Sequence, residues 1–155
     1  MHRYQIKIEY VGTNFIGFQI QKRGNTVQKL IQTSISKVLK EKVKLVGSGR
    51  TDAGVHAISQ SAHFDTLEKI EKTDKFIKSL NFFLNKKLIS ILEIKKKNLK
   101  FHSRYSAKKR IYKYLIINRF SPPSINKDKM LHVRKKLDVN IMKKGAKKLE
   151  GTHDF

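Results

Sequence analysis

An aspartate bracketed by glycines is the first group in this chain placed to do chemistry. The run Gly49-Arg50-Thr51-Asp52-Ala53-Gly54-Val55-His56-Ala57 stands directly behind a strand-like stretch, Val43 to Val46. Gly49 and Gly54 permit positive φ and a tight re-aiming of the backbone, which would hold Asp52 out at a strand end. Arg50, two residues before it, would keep the carboxylate ionised by depressing its pKa. Asp-Gly turns are common punctuation, so on chemistry alone Asp52 reads equally as a turn former and as a reactive carboxylate. His56, four residues on, reads as structural rather than as a general base.

A second block, Phe101-His102-Ser103-Arg104-Tyr105, interleaves rings with a guanidinium. That composition suits RNA, whose unstacked bases lie on aromatic faces while cations meet phosphate. Arg104 could instead only buttress the aspartate loop. Arginine is scarce: seven of the 35 Lys+Arg residues. Where lysine is the default cation, Arg50, Arg104 and Arg110 mark sites wanting a planar fork for carboxylate or phosphate. Gln19 and Gln21 are further candidate RNA contacts. His153-Asp154 offers two ligands, too few for a metal site.

Formal net charge is +23, from 35 basic and 12 acidic residues in 155. A polyanionic partner is the physical reading, since cations that neutralise phosphates release counterions; the alternative is a merely lysine-rich solvated surface. Hydrophobic content of 39% supports a folded core. Cysteine is absent, which excludes disulfide and thiolate chemistry and suits the cytosol. The N-terminus reads as a strand, not a signal peptide, and no apolar run approaches the ~18 residues of a membrane helix. The expectation is a soluble, cytoplasmic chain.

The elements that must position these residues follow from hydrophobic period. Tyr4, Ile6, Ile8 and Tyr10 alternate with polar residues, predicting a half-buried strand. Val27, Leu30, Ile31, Ile35, Val38 and Leu39 fall on one helical face. Asn25 or Thr26 is its cap, with Gln28 placed three after Asn25 as in a capping box. Val43 to Ser48 predicts a second strand, Ile58 to Phe64 a third, Phe76 to Leu84 a helix capped by Thr73 or Asp74, and Leu88 to Ile94 a fourth strand. The order predicts an α+β fold, a ferredoxin-like βαββαβ half filling residues 1 to about 97. With the aromatic block it makes a first domain at 1–105. Residues 106–155 then begin again, with a strand at Ile111 to Asn118, the break at Pro122-Pro123, and a helix from the Asp138 cap to Gly151. One strand and one helix cannot bury their apolar faces, so the second α/β half is expected to be incomplete and the polypeptide truncated or completed by something else.

Gly49 to Ala57 closely resembles the catalytic motif of the TruA family of tRNA pseudouridine synthases. The likeness continues through Tyr10 to Gln21 with Thr26-Val27-Gln28, through Phe101 to Tyr114, and through Leu137-Asp138, Met142, Ala146 and Gly151 to Phe155. The resemblance implies the pseudouridine synthase fold and isomerisation of uridine to pseudouridine in the tRNA anticodon arm, at positions 38–40, with no cofactor and no metal. It implies Asp52 as the catalytic carboxylate, as nucleophile or base. Arg50 would orient it and touch backbone phosphate, and Tyr112 would be the tyrosine packing against the target base. RNA contacts would come from Phe101, His102, Ser103, Arg104, Tyr105 and Arg110, and tRNA would be the partner of a homodimer. Family members continue past the segment matching Phe155, so this chain alone is expected to be a poor enzyme. Two other readings compete: a non-catalytic basic RNA-binding module, for which Asp52 has no use, and an inactive fragment.

Overall fold

The structure, a computed structural model, describes residues 1–154. The chain forms two compact units, Met1–Arg110 and Ile111 onward. The first is mixed α and β, with strands β1 (His2–Tyr10), β2 (Val46–Gly47), β3 (Ala57–Thr66) and β4 (Ile89–Lys97) and helices α1 (Val27–Leu39) and α2 (Thr73–Leu84). Along the chain these run strand, helix, strand, strand, helix, strand. In the sheet the order is β2-β3-β1-β4, every pairing antiparallel.

The alternation in β1 does what its period requires. Tyr4, Ile6, Ile8 and Tyr10 are buried with Ile31 and Ile35 of α1 and Leu80 and Leu84 of α2, each apolar side chain adding ~1.5–3 kcal/mol of burial. In β4 the apolar spacing changes from two to three between Ile91 and Ile94. A bulge absorbs the extra residue: Lys7 opposes Glu93 while Ile8 opposes Ile91. Ile89, Ile91 and Ile94 therefore all reach the core, which a regular ladder could not arrange.

Three details differ from the sequence expectations, at the capping box of α1, the second strand and the cap of α2. Of the two expected caps of α1 it is Thr26 that serves, its hydroxyl accepting from Lys29 N at 3.3 Å. Gln28 closes no capping box with Asn25. Its amide instead accepts from Ile20 N and donates to Leu45 O. The strand expected over Val43 to Ser48 shrinks to two residues because α1 side chains take over its backbone groups: Leu45 N donates to Gln32 Oε1 and Val43 N to Ser36 Oγ. For α2 the capping position is Lys72, without a side-chain cap, and Thr73 and Asp74 lie inside the first turn.

The second unit contains a parallel pair, β5 (Ile116–Asn118) with β6 (Leu131–Val133), and helix α3 (Val139–Lys147). Only the last three residues of the strand expected from Ile111 are strand, since Leu131–Val133 offers a partner of only that length. Asp138 caps α3 as expected, its Oδ1 accepting from Asn140 N and Ile141 N at 2.8 and 3.1 Å. The helix stops at Lys147, before Gly151. Asn118 ties the unit together by donating to Val133 O and Lys135 O and accepting from Leu137 N. Val139, Ile141, Met142 and Leu149 are exposed. Phe155 lies outside the described residues, and among those described no helix is long and apolar enough to cross a membrane.

Candidate active site

Asp52 lies in the loop between β2 and β3, exposed to solvent, beside an equally exposed Arg50. The loop itself is held from beneath. Phe18 N donates to Thr51 O at 3.0 Å, Gly54 N to Phe15 O at 3.3 Å, and Val55 N to Asp52 O at 3.3 Å. On its far side Gly12 N donates to His56 Nδ1 at 3.1 Å, which gives His56 a place in the scaffold. The two glycine-bearing segments approach backbone to backbone. A Cβ on Gly12 would sit 2.0 Å from Val55 O, and one on Gly17 (φ 122°) would sit 2.9 Å from Thr51 O. Gly54 adopts φ 77° in open space, the turn that Gly54 was expected to allow.

A chain of hydrogen bonds closes the loop's base. Tyr10 is 2% exposed and its hydroxyl donates to Gln60 Oε1 at 2.6 Å. With that proton committed, Thr51 Oγ1, 2.8 Å away, donates to Tyr10. Gln60 Nε2 in turn donates to Gly49 O at 2.9 Å. Burial pushes the Tyr10 phenol above its ordinary pKa, so it remains a donor at neutral pH, with Thr51 pulling weakly the other way. The chain thus ties residue 49 to residue 51 across β1 and β3, and Arg50 and Asp52 project from a fixed base. Among the described residues Arg50 and Asp52 form no ion pair: the scaffold is made by their neighbours, and both side chains face water, where a single exposed pair gains little.

The Phe101 to Tyr105 segment is latched to the same unit, chiefly through side chains of its central strands β1 and β3. Ser103 is buried at 2% exposure. Its N–H donates to His63 Nδ1 at 3.2 Å and its Oγ donates to Val46 O at 2.7 Å. Arg3 supplies a second latch, with two nitrogens on the Asp65 carboxylate at 2.7 Å and Nη1 donating to Leu99 O and Phe101 O at 2.6 and 2.7 Å. Burial drives the His63 pKa down to about 4, helped by the nearby charges of Arg3 and His102 and opposed by Asp65. The Arg3 guanidinium holds the Asp65 carboxyl below its ordinary range. Arg110 joins the two halves of the site, its Nη2 donating to Ser48 O at 3.1 Å and to Arg104 O at 3.4 Å.

The first unit therefore brings together the Asp52 loop, Arg50, the Phe101 to Tyr105 segment and Arg110. Ser103 faces inward as an anchor, while Arg104 and Tyr105 face solvent. Tyr112 belongs to the second unit and is 67% exposed, outside any strand. Among the described residues no group of three or more His, Asp or Glu side chains could hold a metal ion. The residues that sequence reasoning missed are Tyr10, Gln60, His63, Arg3 and Asp65. Tyr10, Gln60 and His63 fall inside stretches that read as strands, Arg3 and Asp65 just beyond them, and the bonds joining these residues to the site span 11 to 98 positions.

A family model described as tRNA pseudouridine synthase matches residues 6–106, which takes in the Asp52 loop and the Phe101 to Tyr105 segment. The chain belongs to that family. It is 63% identical over 155 residues to the tRNA pseudouridine synthase A of Pelagibacter ubique (strain HTCC1062), covering 100% of this chain and 63% of that protein. It is 44% identical over 156 residues to the tRNA pseudouridine synthase A of Ehrlichia canis (strain Jake), covering 99% of this chain and 62% of that protein. The figures for Anaplasma phagocytophilum (strain HZ) are 44% over 156 residues, 99% and 63%. The chain thus spans a little under two thirds of the length of these curated relatives.

Proposed function

We propose that this chain carries the aspartate side of an active site that isomerises uridine to pseudouridine in the anticodon arm of tRNA, at positions 38–40. The reaction breaks the bond between N1 and C1′, turns the base over, and joins C5 to C1′. The C5 proton is lost and N1 regains one, so substrate and product are isomers and no oxidant is consumed. Asp52 is the carboxylate that attacks or deprotonates the ribose or base. Arg50, two residues away, meets backbone phosphate and the negative charge of Asp52 when substrate excludes water from both. Tyr112 is the residue that packs against the target base.

The observation that carries this reading is the Asp52 loop itself: an exposed carboxylate on a base fixed by glycine contacts and a buried hydroxyl chain. A turn that merely connects two strands needs no such bracing, whereas a reacting group must be held in place. A base in a stem or stacked loop has to be extruded at a cost of a few kcal/mol, which the aromatic segment and the basic surface offset. The strand order β2-β3-β1-β4 supports a ferredoxin-like arrangement for the first half. We take residues 1–105 as that half and 106–155 as the opening of the second. The working assembly is a cytoplasmic homodimer with tRNA lying across both subunits.

The test is Asp52→Asn, made in this chain completed by the remainder of the 63%-identical relative and assayed in a single turnover on an unmodified tRNA transcript. The neutral isostere leaves the loop intact, so pseudouridine formation should fall by at least ~10³-fold while tRNA affinity changes little. Turnover near the parent rate would remove Asp52 from the mechanism and favour a non-catalytic RNA-binding module.

A further inference from the structure

Tyr105 is exposed, but it is not loose. Its ring lies on that of His102 at a centroid distance of 4.3 Å and an interplanar angle of 30°, and 79% of its surface faces solvent. The support beneath is built in layers. His102 Nδ1 accepts from Arg104 N at 3.2 Å and Tyr105 N at 3.4 Å, which fixes the imidazole under the tyrosine. His102 N donates to Ser106 Oγ and Ser106 N to His102 O, closing the turn from the other side. The His102 ring then meets the buried His63 ring edge-on, with centroids 4.8 Å apart. His63 is itself bonded to Ser103, which reaches Val46 O at the entrance to the Asp52 loop.

An aromatic ring held flat and open by this much hydrogen bonding has already lost the freedom that binding would otherwise remove. The Arg104 guanidinium lies 6.0 Å from the ring centroid, Arg110 is bonded to Arg104 O, and Lys108 and Lys109 in the same segment are exposed. A protein hot spot would sit among apolar neighbours that shed water together. One flat face beside a guanidinium, in a segment rich in cations, suits a nucleobase whose phosphates meet those cations. We propose that the outer face of Tyr105, backed by His102, is a stacking site for one unpaired nucleobase of the RNA. The proposal rests on the pseudouridine synthase reading, and adds to it a particular ring and a particular kind of contact. Arg104 and Arg110 hold the flanking phosphates, and Ser103 is a positioning residue that keeps the platform in place.

The test uses the 155-residue chain and short single-stranded oligoribonucleotides carrying 2-aminopurine, whose fluorescence is quenched by stacking. The parent and Tyr105→Phe should quench alike. Tyr105→Ala and Tyr105→Leu should lose the quench and bind roughly 5- to 100-fold more weakly, the span expected for one base–aromatic stack. Lys108→Ala should weaken binding and flatten its salt dependence while leaving the quench at saturation unchanged. Tyr105 is exposed, so its substitutions leave the core untouched, and equal melting temperatures confirm this. No quench with the parent, or equal binding by Tyr105→Ala, overturns the proposal. Equal quench and binding by Tyr105→Leu and Tyr105→Phe overturns it too, because an apolar contact would then suffice. If Asp52→Asn abolishes turnover yet no Tyr105-dependent quench exists, the enzyme reading stands and the platform falls.

Discussion

Replacing Gly12 by alanine tests whether the Asp52 loop is held by backbone packing. The new Cβ would stand 2.0 Å from Val55 O, 2.6 Å from Val55 C and 3.0 Å from Gly54 C, all backbone atoms that cannot rotate away. Non-bonded heavy atoms settle ~3.5 Å apart, so the two segments must separate by on the order of 1 Å. That movement strains the bonds from Gly12 N to His56 Nδ1 and from Gly54 N to Phe15 O, already 3.1 and 3.3 Å long. Overpacking costs ~1–3 kcal/mol and two weakened hydrogen bonds ~1 kcal/mol each, giving about 3–5 kcal/mol together. At ~4–8 °C per kcal/mol for a unit of this size, the first unit should melt at least ~12 °C lower. Gly54→Ala is the control for conformation without crowding. Its φ of 77° is unfavourable but the space is open, so it should cost only ~1–2 kcal/mol. Thermal unfolding followed by far-ultraviolet circular dichroism reads both. If Gly12→Ala melts within ~2 °C of the parent, or above Gly54→Ala, the loop is not held in this way.

Three further outcomes follow from charge and burial. His63 has a folded pKa of about 4 against an ordinary 6.5, so on acidification the unfolded chain takes up the proton first; stability is full above pH 6.5 and lost as pH falls toward 4. The gap is worth up to ~3 kcal/mol. His63→Gln, which can still accept from Ser103 N, should flatten that part of the curve in urea unfolding at neutral and acid pH; equal losses in parent and variant would refute it. The Arg3–Asp65 pair acts in a separate window, its contribution disappearing below the ordinary carboxylate value of 3.8 as pH falls through the depressed folded pKa. Binding to tRNA should weaken steeply with salt, the slope of log K against log salt being about −0.7 to −0.9 per phosphate contact. A flat dependence would mean that the +23 charge is only a lysine-rich composition.

What sequence reasoning reaches here is set by range. β1 and the apolar face of α1 follow from periods of two and 3.6, and both form where the pattern puts them. The Thr26 cap is local and was one of two candidates. The reading fails where a distant side chain decides the outcome. Val43 to Ser48 has a strand's composition, yet Gln28, Gln32 and Ser36 of α1 satisfy its backbone and leave two residues of ladder. The Asp52 loop was legible as a special turn because glycines and an aspartate mark it. Its bracing was not, since Tyr10 and Gln60 look like ordinary strand residues and only the register of β1 on β3 brings them beside Thr51. The inward turn of Ser103 was equally invisible: its partners, His63 and Val46, are 40 and 57 positions away.

Two of the titratable groups that brace the site, Tyr10 and His63, are pushed in opposite directions by the same cause. Burial raises the pKa of Tyr10 from 10.0 and lowers that of His63 to about 4. Both shifts favour the neutral form, because burial takes each group out of water. Between these limits the Tyr10 hydroxyl keeps donating to Gln60 and the His63 ring keeps accepting from Ser103. These two links of the framework thus keep one pattern of hydrogen bonds across the neutral range. A pH dependence of turnover inside that range then belongs to groups other than Tyr10 and His63. Tyr10→Phe separates bracing from reaction: it removes the Thr51–Tyr10–Gln60 chain and should lower the single-turnover rate, while leaving the shape of the pH profile and the tRNA affinity as in the parent. A profile that changes shape in Tyr10→Phe would place Tyr10 among the reacting groups and end the distinction.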